Sequence, residues 1–338
     1  GNKAKAREMM IQSGVPVVPG SDGLIETVEE GKAIANRIGY PVLVKASAGG
    51  GGRGMRIIRD DSEFEELFQT AKLEAKMAFG DDSMYMEKFI ENPRHIEFQI
   101  LADQYGNVVH LYDRDCSVQR RNQKVIEEAP SPVLDQKTRQ RMGEMAVLAA
   151  KTVGYENAGT IEFLLDKHHQ FYFIEMNTRI QVEHPITEMI TGIDLIKEQI
   201  KIASNLPLSF TQDEIKIRGH AMECRINAEN PHQNFKPSPG TIEVLNLPSG
   251  FGVRVDTAVY QGYEIPPFYD SMVGKLIVHG ENRDEAVAKM KRSLEELVVT
   301  GIDTNIDFQY AIMDHPDFIS NDYDTSFIQQ HMRELEVG

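Results

Sequence analysis

The sequence reads as an α+β protein, with a small first lobe of interleaved helices and strands and a larger lobe built on an antiparallel sheet. Two patterns carry this reading. Over residues 17–90, helix-period and strand-period segments surround a glycine run flanked by strands. Past residue 90, strand pairs are joined by the turn-forming tetrapeptides QYGN and KHHQ, as in hairpins. A length of 338 residues, with 41% apolar and 26% charged side chains, suits a globular chain of two or three lobes and argues against disorder.

Residues 1–16 hold a short helix over 5–13 that ends in the Pro/Gly-rich crossing SGVPVVPGSDG. They are read as the linker from a preceding domain, because the chain opens GNKAKA without Met. Residues 17–90 form the first lobe. Its helix over 27–38 places Ala33, Ile34 and Ile38 on one face; strand 41–47, glycines over 49–54 and strand 55–60 follow. The helix over 62–78 sets Phe64, Leu67, Phe68 and Ala71 at i, i+3, i+4 and i+7, and strand 84–90 closes the lobe. Residues 91–338 form the second lobe. It opens with HIEFQILAD and NVVHLYDRD as neighbouring strands, a helix over 136–153 and the hairpin GTIEFLLD/QFYFIEMN. A helix over 186–204 comes next, then short strands, the turns PSPG and LPSG, and helices over 283–298 and 305–314.

Asp and Glu outnumber Lys and Arg by 52 to 36, a formal charge of −16. Such a surface repels phosphate backbones and anionic lipid, so neither nucleic acid nor membrane is an expected partner. No 18-residue span is free of charge. Cys116 and Cys224 are far apart and match no metal spacing; read as reduced thiols, and with no signal peptide visible, they point to a cytoplasmic setting.

The run AGGGGRG, 48–54, is strand-flanked, so it is neither a Walker loop nor a dinucleotide fingerprint, both of which open a helix. It caps a hairpin, either as a plain flexible turn or as a glycine tip that folds over a triphosphate, as in ATP-grasp enzymes. Lys45 adds a cation on the incoming strand. In the second hairpin, a four-residue loop over 167–170 pairs Asp166 with Phe171 and puts Glu162 opposite Glu175. Like charges facing each other on a sheet call for a cation or a shared proton. With Asn177 two positions on, the set is all oxygen and suits Mg²⁺. Counting on by twos along NTRIQVEHP gives Arg179, Gln181 and Glu183: a guanidinium fork for a small planar anion and a base beside it. A third cluster, Arg120, Arg121 and Lys124, is either a solvated basic face or, near ATP, a phosphate contact. His95 shares a strand face with Glu97 and Gln99.

The strings KASAGGGGRGMR, YMEKFIENPRHIEFQ, RDCSVQRRNQK, EMNTRIQVEHP and GHAMECRINAEN, in this order and spacing, resemble biotin carboxylase, and PPFYDSMVGKLI extends the likeness nearly to the end. Other ATP-grasp enzymes, such as carbamoyl-phosphate synthase, share the glycine loop and the Glu…Glu-x-Asn set; Arg225 within ECRINAE is what they give no reason for.

The resemblance implies an ATP-grasp fold whose small lobe is a lid. It implies Lys3 and Lys45 on ATP phosphates, Gly51 and Gly52 in the closing loop, and Glu87, Lys88, Phe89 and Ile90 around adenine. Leu164 would pack on the base, while His95, Gln119 and Asn122 line the nucleotide. Glu162, Glu175 and Asn177 would bind Mg²⁺ or Mn²⁺. Lys124, Arg179, Gln181 and the Val182 backbone would grip bicarbonate, with Glu183 as base and Arg225 stabilising the biotin enolate. Carboxyphosphate is the implied intermediate. The implied partners are a biotin carboxyl carrier protein and carboxyltransferase subunits. A homodimer for the full-length protein is implied too, as is an acetyl-CoA carboxylase role in fatty acid synthesis. A pyruvate or other acyl-CoA carboxylase origin, or a fragment that binds nucleotide without turnover, are the alternatives. YDRDCS stands where GERDCS is common, and Asp113 keeps the acid one methylene shorter.

Overall fold

The computed structural model describes residues 3–48 and 54–335, with the side chains of Lys3 and Ala4 outside the description. After helix α1 (Lys3–Ser13), the first lobe packs α2 (Val28–Ile38) and α3 (Phe64–Phe79) on a three-stranded antiparallel sheet. Its strands are β1 (Val42–Ala46), β2 (Met55–Ile58) and β3 (Met84–Lys88), in the order β2-β1-β3. α2 begins where the Thr27 side chain accepts the Glu30 N–H, a standard N-cap. Phe64, Phe68, Ala71 and Ala75 of α3 close the core over Val42 and Val44. The inward face of α2 is not centred on Ala33, which is exposed; Gly31 and Ala35 point in, and Ile34 and Ile38 flank them. A side chain at 31 is excluded by contact, since a Cβ there would meet the Phe64 ring at 2.5 Å.

The second lobe is organised by an eight-stranded antiparallel sheet. Its strands include β4 (Arg94–Ala102), β5 (Val108–Arg120), β6 (Gln123–Ala129), β7 (Asn157–Leu165), β8 (Phe171–Asn177) and β9 (His220–Asn227). Across the sheet the order runs Val253–Thr257, Met272–Gly280, β9, β6, β5, β4, β7, β8. Alternation along the strands sorts the two faces. Ile96, Phe98 and Ile100 pack under α4 (Gln136–Thr152), and Ile126, Met222 and Leu276 under α7 (Arg283–Glu296) and α8 (Ile306–Asp314). Leu101, Ala129, Ala221 and Ile277 face the other way, toward α5 (His184–Thr191) and α6 (Leu195–Ala203). The single helix expected over 186–204 is thus two. Gly192, at φ 72°, ends α5 in the left-handed region that favours glycine, and Asp194 caps α6 through the Lys197 N–H. Asp113 is buried and holds Arg139 Nε at 2.7 Å and the Ser131 N–H at 2.7 Å, so the shorter acid is fully engaged.

The chain ends with α9 (Pro316–Ile319) and α10 (Phe327–Leu335), and Tyr323 between them is drawn into the sheet. Its hydroxyl bonds Glu128, which also takes Arg283 Nε at 2.8 Å and His220 Nε2 at 2.6 Å. The Arg94 guanidinium stacks 3.7 Å above the Tyr323 ring.

Candidate active site

Between the lobes lies a cleft of about 1200 Å³, floored by the α5-side face of the large sheet and roofed by β1, β2 and β3. Lys45, Glu87, Lys88, Phe89, Ile90, His95, Gln119, Asn122, Lys124, Glu162, Leu164, Glu175, Asn177, Arg179, Gln181, Val182, Glu183 and Arg225 all line it. Gly51, Gly52 and the Lys3 side chain lie outside the described residues.

The floor carries a row of charges. Glu175, Glu162, Glu97 and Arg114 are successive cross-strand partners over β8, β7, β4 and β5. Glu162 does face Glu175, but by another route than the count from the turn. Leu165, not Asp166, pairs with Phe171, so the loop is five residues long; a bulge at Ile174 then restores the step and both shifts cancel. Adjacent carboxylates need counter-charge, and for Glu97 and Glu162 the part-buried Lys124 and the buried Arg114 supply it. Lys124 Nζ lies 2.5 Å from Glu97, 2.9 Å from Glu162 and 2.7 Å from Glu183. It is no solvated basic face. Burial alone would depress the Lys124 ammonium, but these carboxylates raise it well above the ordinary lysine range. Arg114 is fully buried, and all five of its N–H donors are used, toward Glu97, Gln99, Thr187, Thr160 and Gln181 at 2.6–3.1 Å.

The segment after β8 is not an extended ladder. The strand ends at Asn177, and by Glu183 the backbone, at φ −81° and ψ 8°, already leads into α5. Gln181 and Glu183 turn inward and are buried, whereas Arg179 stays exposed at the cleft margin with its guanidinium on the Ile180 carbonyl at 3.1 Å. Gln181 joins Arg114 to Glu162 Oε1 at 3.0 Å. Burial pushes the Glu183 carboxyl up, but Lys124 and Arg225 together hold it down to about 2.

On the roof, Lys45 pairs with Glu87 and Arg7 Nε stands 3.7 Å from the same carboxylate. The Lys88 ammonium is turned away to the Gly39 and Tyr40 carbonyls at 2.9 and 2.7 Å, so only its backbone and stem can meet a ligand. His95 Nδ1 contacts Gln119 at 2.9 Å, and its Nε2 lies 3.3 Å from Glu162. Asn122 sits with Arg121 in the β5–β6 turn, both at positive φ (63° and 51°).

The sequence matches the family described as carbamoyl-phosphate synthase L chain, ATP binding domain, over residues 2–211, and the biotin carboxylase C-terminal domain over residues 223–330. Biotin carboxylase of Nostoc sp. is 58% identical over 330 residues, covering 98% of this chain and 74% of that protein. The solved Campylobacter jejuni biotin carboxylase–beta-gamma-ATP complex is 53% identical at a TM-score of 0.94, with 98% of this chain and 74% of that one covered. The biotin carboxylase domain dimer of Hydrogenobacter thermophilus 2-oxoglutarate carboxylase, solved with MgADP, ADP and bicarbonate, gives 51% and 0.94 over 100% of this chain and 75% of its own. The chain belongs to the biotin carboxylase family.

It is accordingly a ligase of ATP-grasp fold that carboxylates biotin at the expense of ATP, with Mg²⁺ as cofactor. The donors present fit that ion. Glu162 and Glu175 stand in register, and Asn177, which gives its amide nitrogen to Glu162 at 3.0 Å, adds a neutral oxygen to a hard, all-oxygen set. Across the cleft floor, Arg225 binds Glu127 through Nε at 2.6 Å and Glu183 through Nη2 at 3.0 Å. Two of the residues holding this biotin carboxylase site together went unread in the sequence, and a third was given no role. Arg114 and Glu127 looked like two more charges in a charged string. Glu97 was marked only as a neighbour of His95, although period two already placed it in the same pocket.

Proposed function

We propose that Glu183 is the base of the bicarbonate step and that Arg225 receives biotin beside it. The observation that carries this is the placement of Glu183, at the start of α5, between Lys124 and Arg225. Mg²⁺ held by Glu162, Glu175 and Asn177 would neutralise phosphate charge when bound. Bicarbonate fits against Arg179, Gln181 and the Val182 backbone, near Lys124. With Lys124 and Arg225 both on it, Glu183 is too weak a base. An anion that draws Lys124 away leaves Glu183 Oε1 free and raises its basicity. The deprotonated bicarbonate then attacks the γ-phosphoryl group while Lys45 and Lys124 spread the developing charge. Carboxyphosphate breaks down to CO₂ and phosphate, phosphate takes the ureido proton, and Arg225 stabilises the enolate oxygen.

Glu183→Gln abolishes turnover and leaves ATP affinity nearly unchanged; loss of ATP binding would contradict the base assignment. Arg225→Ala stops biotin carboxylation while slow bicarbonate-dependent ATP cleavage persists, and equal loss of both would remove its enolate role.

For the final acceptor we favour the acetyl-CoA carboxylase type, the first half-reaction of fatty acid synthesis, acting in the cytoplasm as a homodimer with a biotin carboxyl carrier protein and carboxyltransferase subunits. Support for the acceptor comes from relatives named biotin carboxylase in Nostoc sp. and Bacillus subtilis; the dimeric Hydrogenobacter domain, itself part of a 2-oxoglutarate carboxylase, supports the homodimer alone. The second reading, a pyruvate or oxoacid carboxylase, rests on a pyruvate carboxylase subunit of Methanothermobacter thermautotrophicus at 54% identity. Co-purification from the native host separates them: a carboxyltransferase that forms malonyl-CoA supports the first, one that forms oxaloacetate the second.

A further inference from the structure

Behind Arg225, away from the cleft, lies a second pair of carboxylates. Glu127 of β6 and Glu223 of β9 are direct cross-strand partners, and both are fully buried. Glu127 Oε1 is taken by Arg225, but Glu127 Oε2 and both oxygens of Glu223 have no hydrogen-bond partner. Three orphaned carboxyl oxygens in one buried place are costly, the more so if all are ionised, because each forgoes water and gains nothing. The cations nearby are committed elsewhere. Arg225 is split between Glu127 and Glu183, Lys275 from the strand Met272–Gly280 donates to the Val182 carbonyl at 2.7 Å, and Lys124 holds the three carboxylates of the floor. The remaining charged group facing the pair, Glu183 at the start of α5, is itself an anion. If one carboxyl keeps its proton and donates to the other, two of the three oxygens gain a partner and one buried charge is removed.

We propose that Glu223 is a positioning residue: a neutral carboxylic acid that donates to Glu127, so that Glu127 alone stays anionic and aims Arg225 into the cleft. An ionised Glu223 would be a second anion behind Arg225 and would draw the guanidinium back from the substrate side. Burial and the neighbouring Glu127 and Glu183 charges push Glu223 well above the ordinary carboxyl range, in the same sense. Glu127 is also pushed upward by burial, with Arg225 opposing, which suits a pair that shares one proton.

The functional consequence rests on the reading of Arg225 as the biotin-side group, so the test has one arm that does not involve biotin. Infrared difference spectra between the wild type and Glu223→Gln at neutral pH should show the carbonyl stretch of a protonated carboxylic acid in the wild type only. Its absence from the wild type overturns the proposal whatever Arg225 does. In the kinetic arm, Glu223→Ala should raise the KM for free biotin about tenfold with bicarbonate-dependent ATP cleavage little affected. Glu223→Gln, which keeps a neutral donor toward Glu127, should bring the biotin KM back to within about twofold of wild type and remove the alkaline limb of its pH profile. Failure of Gln to rescue, or an alkaline limb that survives it, overturns the positioning role. A protonated carboxyl seen in the infrared together with an Arg225→Ala variant of unaltered biotin KM would instead sink the Arg225 reading.

Discussion

Lys124 is the residue on which the site's electrostatics turn. One ammonium answers two carboxylates that the strand register forces together and a third, Glu183, brought in by the start of α5. Lys124→Met takes the shared counter-charge from three buried carboxylates and leaves them only Arg114, His95 and Arg225, so it should cost about 3–5 kcal/mol in urea unfolding as well as all activity. The pH dependence follows from the same contacts. Glu183 is held near 2 against an ordinary 4.5, so its contribution to stability is present above 4.5 and lost as pH falls toward 2. Glu162, which burial raises but His95 and Lys124 hold well below the ordinary range, acts in the same direction. Glu183→Gln should therefore flatten the acid limb of the stability curve between these pH values, measured by thermal melts across the range. At this scale the sequence disclosed residue types better than it disclosed environments. Lys124 stood in a basic string that a solvated face would explain equally well, and only its strand neighbours reveal that it is sealed among acids.

Elements were legible wherever one period ran undisturbed. The α3 face follows from 3.6-residue spacing because it buries one side, and the β7–β8 hairpin from two short strand-forming runs about a turn, although β7 is buried on both faces. Reading failed where the period is interrupted. The polar alternation of Arg179, Gln181 and Glu183 looked like strand, yet those residues turn into a helix start and only two of the three point inward. The bulge at Ile174 is invisible to counting, and its shift happened to offset a loop one residue longer than assumed. Gly31 offers a test at this scale. Gly31→Val drives a branched side chain into the Phe64 ring between α2 and α3, and should destabilise the first lobe by about 1–3 kcal/mol, read as earlier loss of lid protection in hydrogen exchange. The floor of the cleft, which shares no core residue with that lobe, should keep its protection.

At the scale of the whole molecule, the two lobes have separate hydrophobic cores that meet across a polar cleft. Calorimetry without nucleotide should resolve a lower transition for the first lobe. MgATP, which touches both lobes, should merge it with the main one, adding about 2.7 kcal/mol at a hundredfold excess over Kd. The two-lobe division and the acidic surface were open to reading from patterning and composition; the wiring of the last residues was not, since contacts between positions such as Arg94 and Tyr323 leave no periodic trace. That wiring has a practical result for anyone dissecting the molecule. Glu128 lies further along the strand that carries the proposed γ-phosphate lysine, on its way out of the site; His220 and Arg283 face its charge, and the Tyr323 hydroxyl, far downstream, donates to it as well. Trimming the chain ahead of Tyr323 would therefore take one donor from a buried carboxylate and the ring from beneath Arg94, so a shortened enzyme would loosen from beneath its substrate floor.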